Sequence, residues 1–296
     1  ADVDAETRIG SYTPLHLASR GGHGAVVRRL LGAGGDPNVP TASGGVTPLH
    51  LAAAAIGDGQ AVTALLEHGA DPNALETSAG QTPLMFAAAE NRVTAIQALL
   101  AAGADASVST VVVDVLKNVV TDLEAGRVFR LELAALREQQ EGGGPDWMPT
   151  PRQVQAAIEV QRAFLRSGDA YGAYDPEQLV SYRPDYPGGP DLARPPYREM
   201  LVRMTGGMTA LLHASREGHV EAATALLDGA ADVNQVSGGD ETSALLMAAI
   251  NGQFDVALCL IERGADPNLV ASTDGSSPLF AVLQTQWAPR SNYPQP

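Results

Sequence analysis

The chain has 296 residues, which is long for one hydrophobic core, so two domains or an array of repeats are the expected organisations. Its formal net charge of −15 repels phosphate backbones, which argues against a nucleic-acid partner. Cys259 is the only cysteine, so an intrachain disulfide and a thiolate metal cluster are both excluded, and no apolar run approaches the roughly 18 residues that span a bilayer.

A short apolar motif recurs along the chain at a nearly constant spacing. Its copies are TPLHLA at 13–18 and 47–52, TPLMFA at 82–87, TALLHA at 209–214, SALLMA at 243–248 and SPLFAV at 277–282. Their starts are separated by 34, 35, 127, 34 and 34 residues. A period of this length predicts stacked supersecondary units instead of a single compact core.

Each copy of this motif predicts the start of a short helix. Its first residue is a Thr or Ser whose hydroxyl can act as an N-cap, and in several copies proline follows at the first helical position. A glycine such as Gly22 or Gly218 then ends the helix. The residues assigned to this structural motif are Thr13, Pro14, His16, Thr47, Pro48, His50, Thr82, Pro83, Thr209, Ser243 and Ser277.

A second helix and a turn complete each unit. The second helix carries a pair of large apolar residues, such as Leu65–Leu66. The turn motif that follows is GGDPN at 34–38, GADPN at 69–73, GADAS at 103–107, AADVN at 230–234 and GADPN at 264–268. Each helix is shorter than the roughly 12 residues that are stable alone in water, so its stability must come from stacking on its neighbours.

The connection after the third unit is far longer than the others. Elsewhere the turn motif ends nine residues before the next Thr or Ser, as from Asn38 to Thr47, whereas Ser107 lies 102 residues before Thr209. This connection therefore carries 93 additional residues, and the motifs resume in phase behind it. A rival interpretation places degenerate repeats here, because FLRSGDA at 164–170 echoes the end of a unit, but 127 is not a multiple of 34.

The inserted segment has three predicted parts. Apolar spacing predicts a helix over 111–140, and a second helix begins at Thr150–Pro151, where Gln153 completes a capping box, and ends at Gly168. A Pro- and Tyr-rich stretch over 181–197 follows, and a last short helix is predicted over 196–204.

The Pro- and Tyr-rich stretch permits three interpretations. Its tyrosines, among them Tyr182, Tyr186 and Tyr197, can pack on the repeats with their hydroxyls paired to backbone groups. They can instead face outward as anchors for a partner. A composition rich in Pro, Gly and Asp also allows plain disorder.

Together these motifs resemble the ankyrin repeat, with its T-P-L-H-x-A start, glycine between helices, leucine pair and G-A-D-x-N end, over roughly 200 of the 296 residues. The resemblance implies an all-α solenoid of helix-turn-helix units joined by outward β-hairpin fingers. It predicts three units in 1–107, a finger-loop insertion of helices and coil in 108–206, and two complete units and a truncated one in 207–296.

The sequence departs from this pattern at several positions. The motif histidine is present only at His16 and His50, because Leu212 holds its place in the fourth unit and His213 follows one residue later. Met85, Leu246 and Phe280 replace it in the remaining units. The chain starts inside a turn motif and ends without a last second helix, so we expect it to be a fragment of a longer array.

Candidate contact residues follow from the resemblance, which implies that partners bind the finger tips and the concave face made by the first helices. Residues just before the caps, late in the first helices or at the ends of the second helices map to these places. They are Tyr12, Arg20, His68, Gln81, Glu90, Met208, Arg216, Glu217, Thr242, Asn251 and Arg263, together with Tyr182, Tyr186 and Tyr197 in the insertion.

No catalytic or metal-binding motif is visible in the sequence. It contains no P-loop, HExxH, GxSxG or paired CxxC, and the recurring aspartates of the turn motifs are turn-forming residues. We therefore predict no catalytic residues, no metal site and no cofactor.

The resemblance implies a protein–protein interaction module or scaffold, with the insertion covering or extending the concave face. An alternative is a regulatory or targeting arm of an enzyme whose catalytic domain lies outside this chain. A structural spacer is a third hypothesis, and it predicts that no partner is captured.

Overall fold

A computed structural model describes residues 3–138, 147–167 and 204–287. The chain divides into two compact units, one formed by 1–113 with 205–296 and the other by 114–204. The described residues form thirteen helices and one two-stranded sheet. This composition confirms the predicted all-α fold class.

The elements are given in chain order. They are α1 (Pro14–Arg20), α2 (Gly24–Gly32), α3 (Pro48–Ala54), α4 (Gln60–Glu67), α5 (Pro83–Ala89), α6 (Val93–Ala101), β1 (Val112–Asp114), α7 (Val115–Glu138), α8 (Pro151–Arg166), β2 (Met204–Gly206), α9 (Ala210–Glu217), α10 (Val220–Asp228), α11 (Ala244–Ile250), α12 (Phe254–Glu262) and α13 (Pro278–Trp287). Repeats one to five are the pairs α1–α2, α3–α4, α5–α6, α9–α10 and α11–α12, and α13 begins the sixth.

The repeat helices form two parallel rows. The first helices pack in the order α1, α3, α5, α9, α11 and α13, and the second helices in the order α2, α4, α6, α10 and α12. Helix α5 contacts α9 and α6 contacts α10, so the third and fourth repeats are neighbours in space. The solenoid is therefore continuous across the long connection.

Leucine and alanine build the core of the array. Leu49 and Leu84 are almost fully buried, and Ala52 and Ala87 lie three residues further along the same two helices with similar burial. Small side chains at these positions let neighbouring helices approach closely. Burial of the leucines then stabilises helices of seven to nine residues that would not form alone.

Loops that we call fingers connect each turn motif to the next Thr or Ser cap. Neighbouring fingers are joined through their backbones, because Ala42 N–H donates to the Gly10 carbonyl oxygen at 3.0 Å and Thr77 N–H donates to that of Gly44 at 2.8 Å. In the finger between the fifth and sixth repeats, Ser272 N–H likewise donates to the Asp240 carbonyl oxygen at 2.8 Å. The fingers thus form a hydrogen-bonded ladder beside the helices.

The interrupted finger keeps the base of an ordinary one. In the first finger, which joins the first and second repeats, Thr41 N–H donates to the Val46 carbonyl oxygen and Thr41 Oγ1 accepts from Val46 N–H, both at 3.0 Å. Thr110 and Met208 make the same two bonds, at 3.0 and 2.9 Å. The additional residues therefore enter the chain after Thr110 and before Met208.

The start of the inserted segment differs from the sequence-based prediction. A helix was expected from Val111, but Val111 N–H donates to the Ala79 carbonyl oxygen in the finger ladder, and β1 pairs with β2 before α7 begins. The β-branched run of valines fits this extended conformation. The helix predicted over 196–204 lies outside the described residues except for Met204, which begins β2.

The unit at 114–204 contains α7 and α8, which pack against each other. Helix α8 begins at the expected capping box, in which Thr150 Oγ1 accepts from Gln153 N–H and Gln153 Oε1 accepts from Thr150 N–H. Ala125 and Ala157 are buried in this unit. In the described part of the chain, no helix combines the length and hydrophobicity that crossing a bilayer requires.

Candidate partner-binding surface

Two buried histidines join the first three repeats. His16 Nδ1 accepts from Thr13 N–H at 3.1 Å, which leaves Nε2 to carry the proton and to donate to the Val46 carbonyl oxygen at 3.2 Å. His50 makes the same links, to Thr47 N–H at 3.2 Å and to the next finger at 3.0 Å. Each ring therefore fixes its own helix start and holds the adjoining finger.

Burial favours the neutral form of these two rings. It lowers the pKa of His16 and of His50 below the ordinary value, although hydrogen bonds to backbone carbonyl groups oppose the shift. The neutral form can accept at Nδ1 and donate at Nε2, as both networks require. The finger bases are thus tied to the helices by neutral imidazoles.

The third and fourth repeats lack this link. Met85 and Leu212 occupy the histidine position and are buried as apolar side chains. His213, one residue further, is 5% exposed, and neither of its ring nitrogens has a hydrogen-bond partner among the described residues. Burial and then the nearby Arg216 guanidinium lower the pKa of His213 to about 4, while Glu217 acts in the opposite direction.

Asparagines of the turn motifs form a second set of links between repeats. Asn38 Oδ1 accepts from Asp71 N–H and its Nδ2 donates to the Gly69 carbonyl oxygen, both at 2.9 Å. Asn73 and Asn234 make the equivalent pairs to the repeats that follow them. The sequence places these asparagines at the ends of the turn motifs, but their bonds between repeats form only in the packed array.

A buried carboxylate that was not among the residues predicted from the sequence organises the second finger, between the second and third repeats. Glu76 is 5% exposed and accepts from the backbone N–H groups of Ser78, Ala79 and Gln81 at 2.6 to 3.0 Å. Burial opposes ionisation, but these donors together hold the pKa of Glu76 below its usual value. The glutamate occupies the place of Thr41 in the first finger, a correspondence visible in the repeat alignment.

Most of the predicted contact residues in the repeats are accessible. Exposed side chains are Arg20, His68, Glu90, Arg216, Glu217 and Arg263, and half-buried ones are Tyr12, Gln81, Met208 and Asn251. His68 Nδ1 also bonds the Ala64 carbonyl oxygen of its own helix at 2.8 Å. The array therefore presents side chains of different chemistry at repeated positions of one framework.

Thr242, unlike the other predicted contact residues in the repeats, is buried. Its side chain is only 3% exposed, because its finger folds over it and Ser237 Oγ and Asp240 Oδ1 accept from its N–H. A residue this buried has little surface to offer a partner. Tyr182, Tyr186 and Tyr197 lie outside the described residues.

Metal ligands do not cluster in the described ranges. No group of three or more His, Cys, Asp or Glu side chains there is arranged to hold an ion. The recurring aspartates instead accept from backbone N–H groups of their own turns, as Asp36 does from Asn38 at 2.9 Å.

Comparison with protein families agrees with this geometry. A family model described as ankyrin repeats, in three copies, matches residues 15–110 and 194–271, which together exceed half of the chain. The chain belongs to the ankyrin-repeat family. A comparison with curated proteins finds no match.

Ankyrin repeats are generally protein–protein interaction modules and are typically not enzymes. In this ankyrin array, the motif threonines and prolines occupy the helix starts. Thr13, Thr82, Thr209 and Ser243 accept from the backbone of the first helical turn, and Pro14, Pro48 and Pro83 lie in the first turn. Thr47 is the N-cap of α3, and Ser277 Oγ accepts from Phe280 N–H at 3.3 Å.

Proposed function

We propose that this ankyrin array binds another protein through the ends of its first helices and the bases of its fingers. One observation carries this proposal. The residues that form the framework recur from unit to unit, whereas the accessible side chains beside them vary in charge and size. Arg20, Glu90 and Arg216 are exposed near the ends of α1, α5 and α9, and Asn251 is half-buried at the end of α11. A rigid frame that presents varied groups suits a specific protein interface.

The charges of this surface are available to a partner. Arg216 Nε contacts Glu217 Oε1 at 2.8 Å and Arg92 contacts Glu90 at 3.5 Å, and both pairs are solvent-accessible. No carboxylate of the described residues pairs with Arg20. Surface ion pairs contribute little to folding, so they can exchange for groups of a partner at low cost.

The test compares two triple variants of the full chain in a cross-linking capture experiment at physiological salt. Substitution of Arg20, Glu90 and Glu217 by alanine should abolish specific capture. A control with Arg29, Gln97 and Asp255 replaced by alanine, all exposed on second helices, should capture as the parent does. Equal capture by both variants, each shown by circular dichroism to be folded, would refute the proposed surface.

The proposal extends to the insertion, which would cover or extend this face. The Thr110–Met208 bonds suggest a clean deletion, in which residues 111–207 are replaced by the Ala-Ser-Gly-Gly turn of residues 42–45. Stronger capture by the deleted protein would identify a cover, and lost capture with the array still folded would identify a contact surface.

The alternative, a regulatory arm of an enzyme, stays a prediction. Translation of the complete reading frame tests this alternative, because it requires a catalytic domain encoded in the same frame as the repeats.

A further inference from the structure

The interface between the third and fourth repeats differs from the first, second and fourth interfaces along one edge. We call the side where the turn motifs stack the turn edge. At the first, second and fourth interfaces, an asparagine crosses this edge with two hydrogen bonds to the next repeat. At the third interface the equivalent residue is Ser107, whose hydroxyl donates back to Asp105 Oδ1 of its own turn at 2.6 Å.

The two asparagine hydrogen bonds that are missing at this edge are only partly replaced. Gln235 Nε2 donates to the Ser107 carbonyl oxygen at 2.8 Å, which is one bond where the asparagines make two. No side chain of the described residues accepts from Asp232 N–H, the equivalent of Asp71 and Asp105. Met85 also stands where His16 and His50 donate to the next finger, so this interface lacks both kinds of link.

The opposite edge of the same interface, where the two helices of each repeat are joined, is firmly held. Asn91 Oδ1 accepts from Ala222 N–H at 3.1 Å, and Asn91 Nδ2 donates to Glu221 at 3.2 Å. His219 Nε2 bonds the Ala89 carbonyl oxygen at 3.0 Å. The finger ladder crosses this interface as it does the others, because Val111 N–H donates to the Ala79 carbonyl oxygen. Side-chain bonds, however, hold the interface through Asn91 and His219 along this edge and only through Gln235 along the turn edge.

We propose that the interface between the third and fourth repeats is a hinge that opens at the turn edge and pivots about the contacts of Asn91 and His219. Repeats one to three and repeats four to six then move as two blocks. Regions held by few contacts open at a low free-energy cost, and hinge motions turn about a few residues in loops or at the ends of helices. The hinge does not rest on the proposed binding role, although it lies within the proposed surface.

Amide hydrogen exchange of the full chain tests the asymmetry of the interface. The amide of Asp232 should be about tenfold less protected than those of Asp71, Asp105 and Asp266, while the amide of Ala222 at the pivot stays protected. Ser107→Asn should raise the protection of Asp232 by a similar factor. Equal protection of all four aspartate amides, or exchange at Ala222 as fast as at Asp232, would overturn the hinge.

Distances between pairs of spin labels test the motion itself. On a Cys259→Ala background, labels at Glu67 and Asp228 span the second and third interfaces, whereas labels at Gly32 and Ala101 span the first and second. All four sites are the last residues of second helices. The first pair should give the broader distance distribution in pulsed electron paramagnetic resonance, and Ser107→Asn should narrow it. If the two pairs gave distance distributions of equal width in the protein that keeps Ser107, the hinge would be refuted, whatever Ser107→Asn does.

Discussion

Replacing His213 by leucine should stabilise the protein and reduce its sensitivity to acid. The imidazole is 5% exposed and both ring nitrogens lack a partner among the described residues. An unpaired buried polar group costs about 1–3 kcal/mol, so leucine, which occupies the same motif position at Leu17 and Leu51, should raise the free energy of unfolding at neutral pH by at least about 1 kcal/mol.

The pH dependence follows from the lowered pKa of His213. Its ordinary value is 6.5 and its value in the folded chain is about 4, so the unfolded chain takes up the proton first as the pH falls. Titration of this residue therefore leaves the free energy of unfolding unchanged above pH 6.5 and lowers it progressively as the pH falls from 6.5 to 4. At pH 5 the loss due to this residue amounts to roughly 2 kcal/mol.

Urea denaturation followed by circular dichroism between pH 7.5 and pH 5 measures this difference. The parent should lose roughly 2 kcal/mol more than His213→Leu over this interval, and carboxylates that also titrate cancel in the comparison. Met247→Leu, at the same motif position one repeat later, keeps the imidazole and should follow the parent. If the parent and His213→Leu lost equal stability, the orphaned imidazole could not be the acid-sensitive group.

Three further changes test the framework, each by urea denaturation at neutral pH. Glu76→Ala removes the acceptor of three finger amides and should cost about 1–3 kcal/mol, so an unchanged midpoint would show that water replaces the carboxylate. Ala230, at φ 65°, holds a left-handed position that is glycine in the other repeats, so Ala230→Gly should stabilise by about 0.5–1 kcal/mol. Ala102→Gly, at φ −86°, is its control and should not stabilise. His50→Leu should lower the free energy of unfolding by about 2 kcal/mol, because it leaves buried backbone groups unpaired. Met85→Leu, at the same motif position, should be nearly neutral. Equal losses in the two variants would contradict the role assigned to the imidazole.

Local chemistry made much of the array predictable. Thr13 followed by Pro14 encodes a helix start within two residues, and Gly34 encodes the left-handed stop, which the structure shows at φ 96°. The constant spacing of such signals indicated the solenoid and the interruption. The same reasoning failed at Val111, because finger pairing outweighed the apolar period that predicted a helix there.

The sequence by itself therefore determined the repeating units, their order and the place of the insertion, because these depend on neighbouring residues whose conformational preferences are known. Only the tertiary structure decided which polar groups are satisfied. His219 finds its acceptor on Ala89, 130 residues away, Ser107 turns back to its own turn, and His213 is buried without a partner. A hydrogen bond between repeats needs two groups at bonding distance, and that distance exists only once the helices have stacked.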